Sequence, residues 1–591
     1  MNIPLFAALL TLMAQDAVQV ESDPVAAPVV LAEKQKVVFT LRVAPQSFDP
    51  IRAVPVIDAV MQSQILEGLT TYDLSTSPPS IQGQLATSWA VSEDGLQWDF
   101  ELDPKAQFFD PFTPPLWNQP HRLLHAQDVL TSWLRQADAR DVSGGYWTME
   151  GVFVGIEDFR ASTAALDPEQ ADAAFAKAVD EGIAGIQVLG PYQLRVRLQR
   201  PDPHLLDRLA MPFYAVYPAE AALHKERNMT DQPVGSAAFY LADWIPGQQV
   251  TLHATEQWRG EEGAENEGQP YLQEAQFQVV HEASTAEQMF LRGTTARLSL
   301  SPQNSKRFLD DDFQLLEEWA SKGYRLHAID NLDLTMLAFG MDDPVIGHIP
   351  GDDEGNPRRR LLRLAIANAF PYEAWGKSIR KDLPIVHARN FLAPGIRGAE
   401  ALPELPWRKR DLNQAKAYLA EAGYPSGKGL EPLEFLLTGT DPWSRSTGDL
   451  VVAGLGEVGI RVIPLPMPFQ EQVKRAQSGD AQLFLRAWVP DWPDGALILQ
   501  NFYGELVGTS VNLGHMADPE FDELFREYRS LAEGEERNKL AQALCARLEK
   551  LVPAVPIDHR RSMILTQPWL DGVNIAVQEL FDLRSYRVLA H

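Results

Sequence analysis

The chain has 591 residues, of which 45% are hydrophobic and 22% charged, the proportions of an ordinary soluble globular protein. This length exceeds what one hydrophobic core usually supports, so two or more lobes are expected. Acidic residues number 80 against 52 lysines and arginines, which leaves a formal net charge of −28. Because DNA- and RNA-binding proteins need a basic face, this balance excludes nucleic acid as an expected partner.

The first 35 residues have the composition of a leader followed by a tether. Residues 3–14 form an uncharged apolar run, too short to span a bilayer but of the length found in signal peptides. No lysine or arginine precedes this run, which departs from the usual signal-peptide pattern. The single cysteine, Cys545, lies beside an apolar helical stripe far from the leader. We therefore expect an exported periplasmic protein with neither a disulfide nor a lipid anchor.

The first half of the chain alternates strand and helix signals. Residues 37–43 predict a strand, and residues 57–69 predict an apolar helix. The pair Asp94-Gly95 lies between two segments of alternating hydrophobicity, which predicts a β-hairpin. Further elements are predicted as helices over 125–137 and 171–179 and as strands over 185–189 and 193–198.

The second half carries more helix. Asp411 is a plausible N-cap for a helix over residues 411–422, and Asp518-Pro519 opens another helix in the same way. The remaining elements are a helix over 358–370 and strands over 433–437, 460–464 and 482–486. This mixture predicts an α/β fold with mixed sheets in several lobes.

The segment at residues 484–504, FLRAWVPDWPDGALILQNFYG, is the strongest candidate for chemistry. Trp488 and Trp492 bracket Asp491, and two prolines stiffen the loop. A carboxylate between aromatic walls is a good receptor for an ammonium group, through charge-assisted hydrogen bonds and cation–π attraction. The same composition equally fits a surface aspartate beside two packed tryptophans.

Signals for catalysis and for cofactors are weak. His121 and His125 lie four residues apart, but the glutamate of a metalloprotease helix is missing, which favours helix capping by His125. Neither a glycine-rich phosphate loop nor a nucleophile elbow occurs in the sequence. We therefore predict no enzyme activity, no metal and no cofactor.

An ordered set of motifs along most of the chain resembles the bacterial extracellular solute-binding proteins of family 5, the oligopeptide- and dipeptide-binding components of ABC importers. The matching segments are QSFDP (46–50), EGL (67–69), LATSW (85–89), SEDGLQWDF (92–100), AQDV (126–129), VGS (234–236), WRG (258–260), DLNQAKAYLAEAGY (411–424) and WVPDWPD (488–494). Any one motif is weak, but their order from about residue 36 to residue 591 is specific.

The resemblance implies a two-lobed periplasmic-binding-protein clamshell with an additional subdomain and mixed β-sheets flanked by helices. It places Asp491 where the family pairs an acid with the α-ammonium of a peptide, with Trp488 and Trp492 beside it. The backbone of Ala53, Val54 and Val56 falls where the family pairs with the bound peptide as an added strand.

Three departures from the family pattern concern the ligand more than the fold. Pro55 removes one N–H from the strand edge formed by residues 53–56. Ala237-Ala238-Phe239 replaces the usual Gly-Pro-aromatic sequence, and Ala365-Ile366-Ala367-Asn368 replaces the helix motif A-I-D-R.

The resemblance also implies a division of the chain. In this division, residues 1–35 are the leader and tether, 36–75 the first part of lobe I, 76–185 the extra subdomain, 186–285 the second part of lobe I, 286–555 lobe II and 556–591 the return to lobe I.

The sequence thus predicts a monomeric periplasmic receptor that captures oligopeptides and delivers them to the membrane permease of an ABC transporter. Two alternatives remain open: a receptor for another polar or cationic solute, such as a nickel chelate, an opine or a sugar, and a secreted α/β hydrolase. A third alternative is a receptor that keeps the clamshell fold but passes its ligand to a sensor instead of a permease.

Overall fold

The computed structural model describes residues 31–52, 56–76, 79–119, 121–141, 143–164, 167–223, 227–260, 268–380, 385–576 and 580–590. Its strands are β1 (Lys36–Leu41), β2 (Thr70–Asp73), β3 (Ser80–Gly83), β4 (Ala86–Val91), β5 (Gln97–Leu102), β6 (Gln107–Phe109), β7 (His121–Leu123), β8 (Ile186–Gly190), β9 (Gln193–Arg197), β10 (Phe239–Ile245), β11 (Gln249–Ala254), β12 (Glu274–Val279), β13 (Arg297–Ser299), β14 (Arg325–Asp330), β15 (Leu334–Phe339), β16 (Ile385–His387), β17 (Leu433–Thr438), β18 (Val462–Met467), β19 (Leu483–Trp488), β20 (Ala554–Thr566), β21 (Leu570–Asp571) and β22 (Arg587–Val588).

The helices alternate with these strands. They are α1 (Val56–Gln62), α2 (Ala126–Ala137), α3 (Ile156–Ala164), α4 (Pro168–Glu181), α5 (Leu205–Leu209), α6 (Ala219–Leu223), α7 (Ala283–Leu291), α8 (Ser305–Phe308), α9 (Glu317–Ala320), α10 (Gly355–Ala369), α11 (Tyr372–Ala374), α12 (Leu412–Glu421), α13 (Pro442–Gly456), α14 (Phe469–Gln477), α15 (Ala496–Leu499), α16 (Pro519–Tyr528) and α17 (Glu535–Leu551).

Lobe I is built on a four-stranded sheet in the order β1-β12-β11-β10. β1 and β12 run parallel, whereas the other two pairs are antiparallel. Phe39 of β1 stacks on Phe277 of β12 with their ring centroids 5.1 Å apart. Leu583 and Tyr586, from the far end of the chain, belong to the same core, so the hydrophobic core of lobe I is complete only when the C-terminal segment returns to it.

The extra subdomain contains a second four-stranded sheet, in the order β4-β5-β9-β8. β4 and β5 form the predicted hairpin, and Gly95 in its turn has a φ of 68°, which favours glycine. Helix α2 covers the sheet and buries Trp133 completely. Both the predicted hairpin and the predicted helix are confirmed.

The two histidines considered as possible metal ligands lie in a short strand and at the start of the helix that follows it. His121 lies in strand β7, and His125 is the N-cap residue of α2. The backbone N–H of His125 donates a 2.9 Å hydrogen bond to the carboxylate of Asp128, which also forms an ion pair with Arg122. Asp128 is therefore held by the helix terminus and by a cation.

Lobe II is built on an eight-stranded sheet with the main order β13-β20-β15-β19-β17-β18, in which β14 and β16 also pair with β20. The predicted caps are confirmed, since Asp411 accepts a hydrogen bond from the Gln414 N–H and Asp518 accepts one from the Phe521 N–H. Cys545 is buried on α17, as predicted. The predicted mixed α/β class is thus confirmed.

Two of the predicted domain boundaries fall inside sheets. The boundary after residue 185 separates β8 and β9 from β4 and β5, although all four strands form one sheet. The boundary after residue 555 cuts β20, which pairs within lobe II along its whole length. A division that follows the sheets therefore extends the extra subdomain to Arg197 and lobe II to Thr566.

Candidate ligand-binding cleft

Asp491 lies in a short turn that leaves the centre of lobe II. The turn follows β19, which pairs with β15 on one side and β17 on the other. Within it, the Asp494 N–H donates a 2.7 Å hydrogen bond to the Trp492 carbonyl, and the Ala496 N–H donates a 2.6 Å bond to the Asp494 carboxylate. These bonds give Asp491 a defined position at the end of a central strand.

Asp491 lines a cavity of ≈ 220 Å³ whose other walls come from lobe I and the extra subdomain. Its aromatic walls are Tyr72, Phe213, Phe239 and Phe581. The charged residues that line it are Glu67, Asp491, Asp582 and Arg584, so acids outnumber bases and we refer to it as the acidic cavity. Apolar walls with a few charged groups are the usual lining of a small-molecule site.

The carboxylate of Asp491 has no hydrogen bond or ion pair with any residue that the structure describes. The side chain of Asp491 is exposed to the open cleft. The protein around the cleft nevertheless reduces the hydration of its carboxylate, and this desolvation raises the pKa of Asp491 to about 6. The nearby charge of Arg208 offsets part of the effect, although that guanidinium is already paired with Asp202 at 3.1 Å. An unpaired carboxylate in a cleft has the chemistry to form charge-assisted hydrogen bonds with a cation.

Neither tryptophan beside Asp491 lines the acidic cavity. Trp488 packs on the lobe II core, with the guanidinium of Arg486 4.6 Å from its ring. Trp492 is only 6% exposed and packs into the core of the extra subdomain, where Arg208 lies 5.4 Å from its ring. The aromatic residues that line the cavity are therefore others, because both indoles pack against hydrophobic cores.

The predicted strand edge near the N-terminus is described only in part. Ala53 and Val54 lie outside the described residues. Val56 is exposed and borders the acidic cavity, but it begins helix α1 instead of continuing a strand. At Val56, therefore, the cavity is bordered by a side chain at a helix N-terminus and not by a strand edge.

A buried ion cluster joins lobe II to the extra subdomain beneath the Asp491 turn. Asp494 accepts hydrogen bonds of 2.8 and 2.7 Å from Arg537 and lies 3.0 Å from the imidazole Nε2 of His204. Burial opposes the ionisation of Asp494, but the two cations outweigh it and hold its pKa below the usual range. Burial also opposes protonation of His204, but its bonds to Asp207 and Asp494 raise its pKa to about 9.

One further residue of the cavity wall, Glu67, lies in a sequence motif that had no predicted role. Glu67, from the EGL motif, is ion-paired with Arg259, from the WRG motif, at 2.7 Å. Phe581, Asp582 and Arg584 of the cavity were missed entirely. They follow Glu67 by more than 500 residues, and no local pattern signals that the C-terminal segment returns to the cleft.

Within the described part of the chain, no helix is both long and apolar enough to cross a membrane.

Comparison with known proteins agrees with this architecture. Haem-binding protein A of Haemophilus influenzae is 25% identical over 513 residues, which cover 83% of this chain and 81% of that protein. Di/tripeptide-binding protein 2 of Pseudomonas aeruginosa is 25% identical over 552 residues, or 90% of this chain and 91% of that protein. The structure of HbpA2 from Haemophilus parasuis aligns with a TM-score of 0.75 at 18% identity, covering 94% of this chain and all of that one.

The family model for bacterial extracellular solute-binding proteins, family 5 Middle, matches residues 80–509, most of the chain. The predicted family and the predicted two-lobed fold are both confirmed. The chain belongs to the bacterial extracellular solute-binding proteins of family 5.

Proposed function

We propose that the protein captures peptides with a free N-terminus in the periplasm and delivers them to the permease of an ABC transporter. The observation that carries this proposal is the unpaired carboxylate of Asp491 on the wall of the acidic cavity. A peptide α-ammonium would supply the missing countercharge. The name of the relative from Pseudomonas aeruginosa, a di/tripeptide-binding protein, supports a peptide as the ligand.

The protein acts in this proposal as a monomeric receptor that leaves its ligand chemically unchanged. Asp491 comes from lobe II, whereas most of the other cavity walls come from lobe I and the extra subdomain. Closure of the lobes around a peptide would therefore complete the site, and opening would release the peptide to the permease. Backbone hydrogen bonds to the peptide would allow binding with little regard to sequence.

Asp491→Asn tests the ammonium contact with almost no change in side-chain volume. We expect trialanine to bind the variant about 10- to 100-fold more weakly than it binds the wild-type protein, because a charge-assisted hydrogen bond is lost. N-acetyl-trialanine, which has no ammonium group, should bind both proteins equally. Isothermal titration calorimetry measures all four dissociation constants.

Asp480→Asn is the matched control, since Asp480 is an exposed carboxylate of the same lobe that pairs with Arg475 at 2.9 Å. Its affinity for trialanine should equal that of the wild-type protein. An equal loss of both peptides in Asp491→Asn would refute the ammonium assignment, and failure of the wild-type protein to bind any tripeptide would refute the function.

Haem is a second candidate, suggested by the name of the relative from Haemophilus influenzae. The aromatic and apolar walls of the acidic cavity, which include Met211 and Tyr72, favour it, whereas its acidic groups disfavour a ligand with anionic propionates. An absorbance titration decides between the two. A saturating Soret change at one haem per chain, without competition by trialanine, would favour haem.

A further inference from the structure

The contact between lobe II and the extra subdomain is closed, although the acidic cavity beside it is open. Asp491 is exposed to the cleft, whereas Asp494, three residues further along the same turn, is only 2% exposed. Trp492, which lies between them in the sequence, is also buried. The turn therefore borders an open cleft on one side and a sealed contact between the two bodies on the other.

The sealed contact is built around a hydrophobic core that both bodies share. Trp492 and Leu497 of lobe II belong to the core of the extra subdomain, together with Leu205 and Leu209 of helix α5. All four side chains are buried. Domains move readily against each other when their contact is small and polar, whereas a contact that shares a core resembles the interior of a single domain. This contact should therefore persist while other parts of the lobes move.

A line of ion pairs with alternating sign crosses the same contact, and we refer to it as the interlobe chain. Its members, in spatial order, are Arg537, Asp494, His204, Asp207, Arg397 and Glu533. Lobe II contributes the two residues at each end. Helix α5 and its N-cap, which pack in the core of the extra subdomain, contribute the two in the middle. The interlobe chain therefore crosses the contact twice.

Both crossings have the geometry of ion pairs. The carboxylate of Asp494 lies 3.0 Å from Nε2 of His204, and that of Asp207 lies 3.5 Å from Nη1 of Arg397. Between the crossings, Nδ1 of His204 lies 3.5 Å from Asp207. Arg397 also donates a 3.1 Å hydrogen bond to the carbonyl of Pro79 in the extra subdomain. Because a shift of lobe II along the contact would separate buried charges from their partners, the interlobe chain favours one fixed arrangement.

We propose that the interlobe chain and the shared core form a fixed pivot, about which lobe II turns when the cleft opens and closes. Closure around a ligand is then a rotation about this contact, and lobe II does not separate from the extra subdomain. This inference rests on the proposed function, because it concerns the closure that the function requires. Asp491, only three residues from Asp494, would keep its position while the far end of lobe II moves, so the site for the ammonium group would be formed before the ligand binds.

Two distances between spin labels distinguish a pivot from a latch that opens with the cleft. The pivot pair carries labels at Arg200→Cys and Ala532→Cys, exposed positions four residues before His204 and five before Arg537. The lobe pair carries them at Gln248→Cys and Gln470→Cys, exposed positions beside the outermost strands of the lobe I and lobe II sheets.

Pulsed electron paramagnetic resonance measures both distance distributions. The native Cys545 does not interfere, because it is buried and desolvation raises the pKa of its thiol to about 12. In the unliganded protein the lobe pair should have the broader distribution. Trialanine should shift the distance of the lobe pair and leave that of the pivot pair unchanged.

His204→Gln should broaden the distribution of the pivot pair, because the first crossing loses its positive charge. His387→Gln is the matched control, since it changes an exposed histidine of β16 in lobe II and should leave both distributions as in the wild-type protein. Circular dichroism checks that each variant is folded. If His204→Gln does not fold, Arg397→Gln replaces it, because it removes the charge of the second crossing and should broaden the same distribution.

The inference is overturned if trialanine shifts the pivot pair as much as the lobe pair, since the contact would then be a latch. It is also overturned if trialanine binds and moves neither pair, or if the folded variant leaves the pivot pair unchanged. In each of these cases the proposed function stands, because the peptide binds. If trialanine does not bind, the proposed function fails, and the widths in the unliganded protein test the pivot alone: equal widths for the two pairs would overturn it.

Discussion

The acidic cavity and the cavity next to it share part of their walls but differ in charge and in the way the charge is held. The second cavity has a volume of ≈ 490 Å³, and we refer to it as the basic cavity, because its charged lining residues are Arg42, Arg297 and Arg560. In the acidic cavity the unpaired carboxylate of Asp491 projects from a turn, and water of the cleft reaches it. In the basic cavity Arg297 is 7% exposed, and its guanidinium forms no ion pair with the described residues. It belongs to a strand and lies against the rings of Phe39 and Phe581. The net charge of the chain predicts neither arrangement, because it does not say which single charges the fold leaves without a partner.

Different parts of the protein also hold the two charged side chains, Asp491 and Arg297, in position. Asp491 depends on a turn that the buried cluster of Asp494, Arg537 and His204 fastens to the extra subdomain. Arg297 depends on the pairing of β13 with β20 and on the aromatic core of lobe I. A substitution in the buried cluster, which lies outside both cavities, should therefore disturb the position of Asp491 and leave the position of Arg297 unchanged.

Asp494→Asn should give the largest effect of this kind. It leaves Arg537, whose side chain is 3% exposed, without its carboxylate partner, so the free energy of unfolding should fall by about 3–5 kcal/mol. Urea unfolding measures the loss. Asp480→Asn breaks an exposed ion pair and should cost only about 0–1 kcal/mol. Equal unfolding midpoints for Asp494→Asn and the wild-type protein would show that the cluster does not support the turn.

Lowering the pH should give the next largest effect, a loss of ligand affinity at the acidic cavity. The pKa of Asp491 is raised to about 6, so the carboxylate is ionised at pH 7 and mostly protonated at pH 5. An ammonium group prefers the ionised form, so trialanine should bind about tenfold more weakly at pH 5 than at pH 7. His204, whose pKa is raised to about 9, stays protonated over this range and does not contribute.

One other group of the acidic cavity titrates in the same range, since burial raises the pKa of Asp582 to about 6. Calorimetry on two variants separates the two acids. Asp491→Asn should remove most of the pH dependence, and Asp582→Asn should retain most of it. The reverse result would place the ammonium group at Asp582.

The sequence predicted those parts of the molecule that local signals specify. The hairpin at Asp94-Gly95 and the helix caps at Asp411 and Asp518 each depend on residues within a few positions of one another, and all three are confirmed. The order of motifs identified the family, and with it the two-lobed fold. The motif around Asp491 led to a residue that does line a cavity between the lobes.

Features that depend on tertiary packing could not be predicted. The tryptophans beside Asp491 fit a ligand wall as well as a core, and only the position of the extra subdomain decides that Trp492 is buried in it. Arg297 is an ordinary arginine in the sequence. It becomes an unpaired buried cation only because Phe39 and Phe581, from distant parts of the chain, close around it.

Arg42→Gln should give the smallest effect and sharpen the comparison between the cavities. Arg42 lines the basic cavity as Arg297 does, but it is exposed, so water and salt screen its charge over a distance of about 8 Å at physiological ionic strength. Its loss should change the free energy of unfolding by less than about 0.5 kcal/mol at physiological salt, and by more at low salt.

Urea unfolding at two salt concentrations, with Arg297→Gln alongside, measures this difference. The guanidinium of Arg297 is buried against two rings, so its loss should lower the free energy of unfolding by about 1–2 kcal/mol, nearly independently of salt. If the two variants lose the same stability with the same salt dependence, the summed charge of the cavity would determine the effect. A loss in Arg297→Gln alone would instead assign it to the contacts of this arginine with the aromatic core.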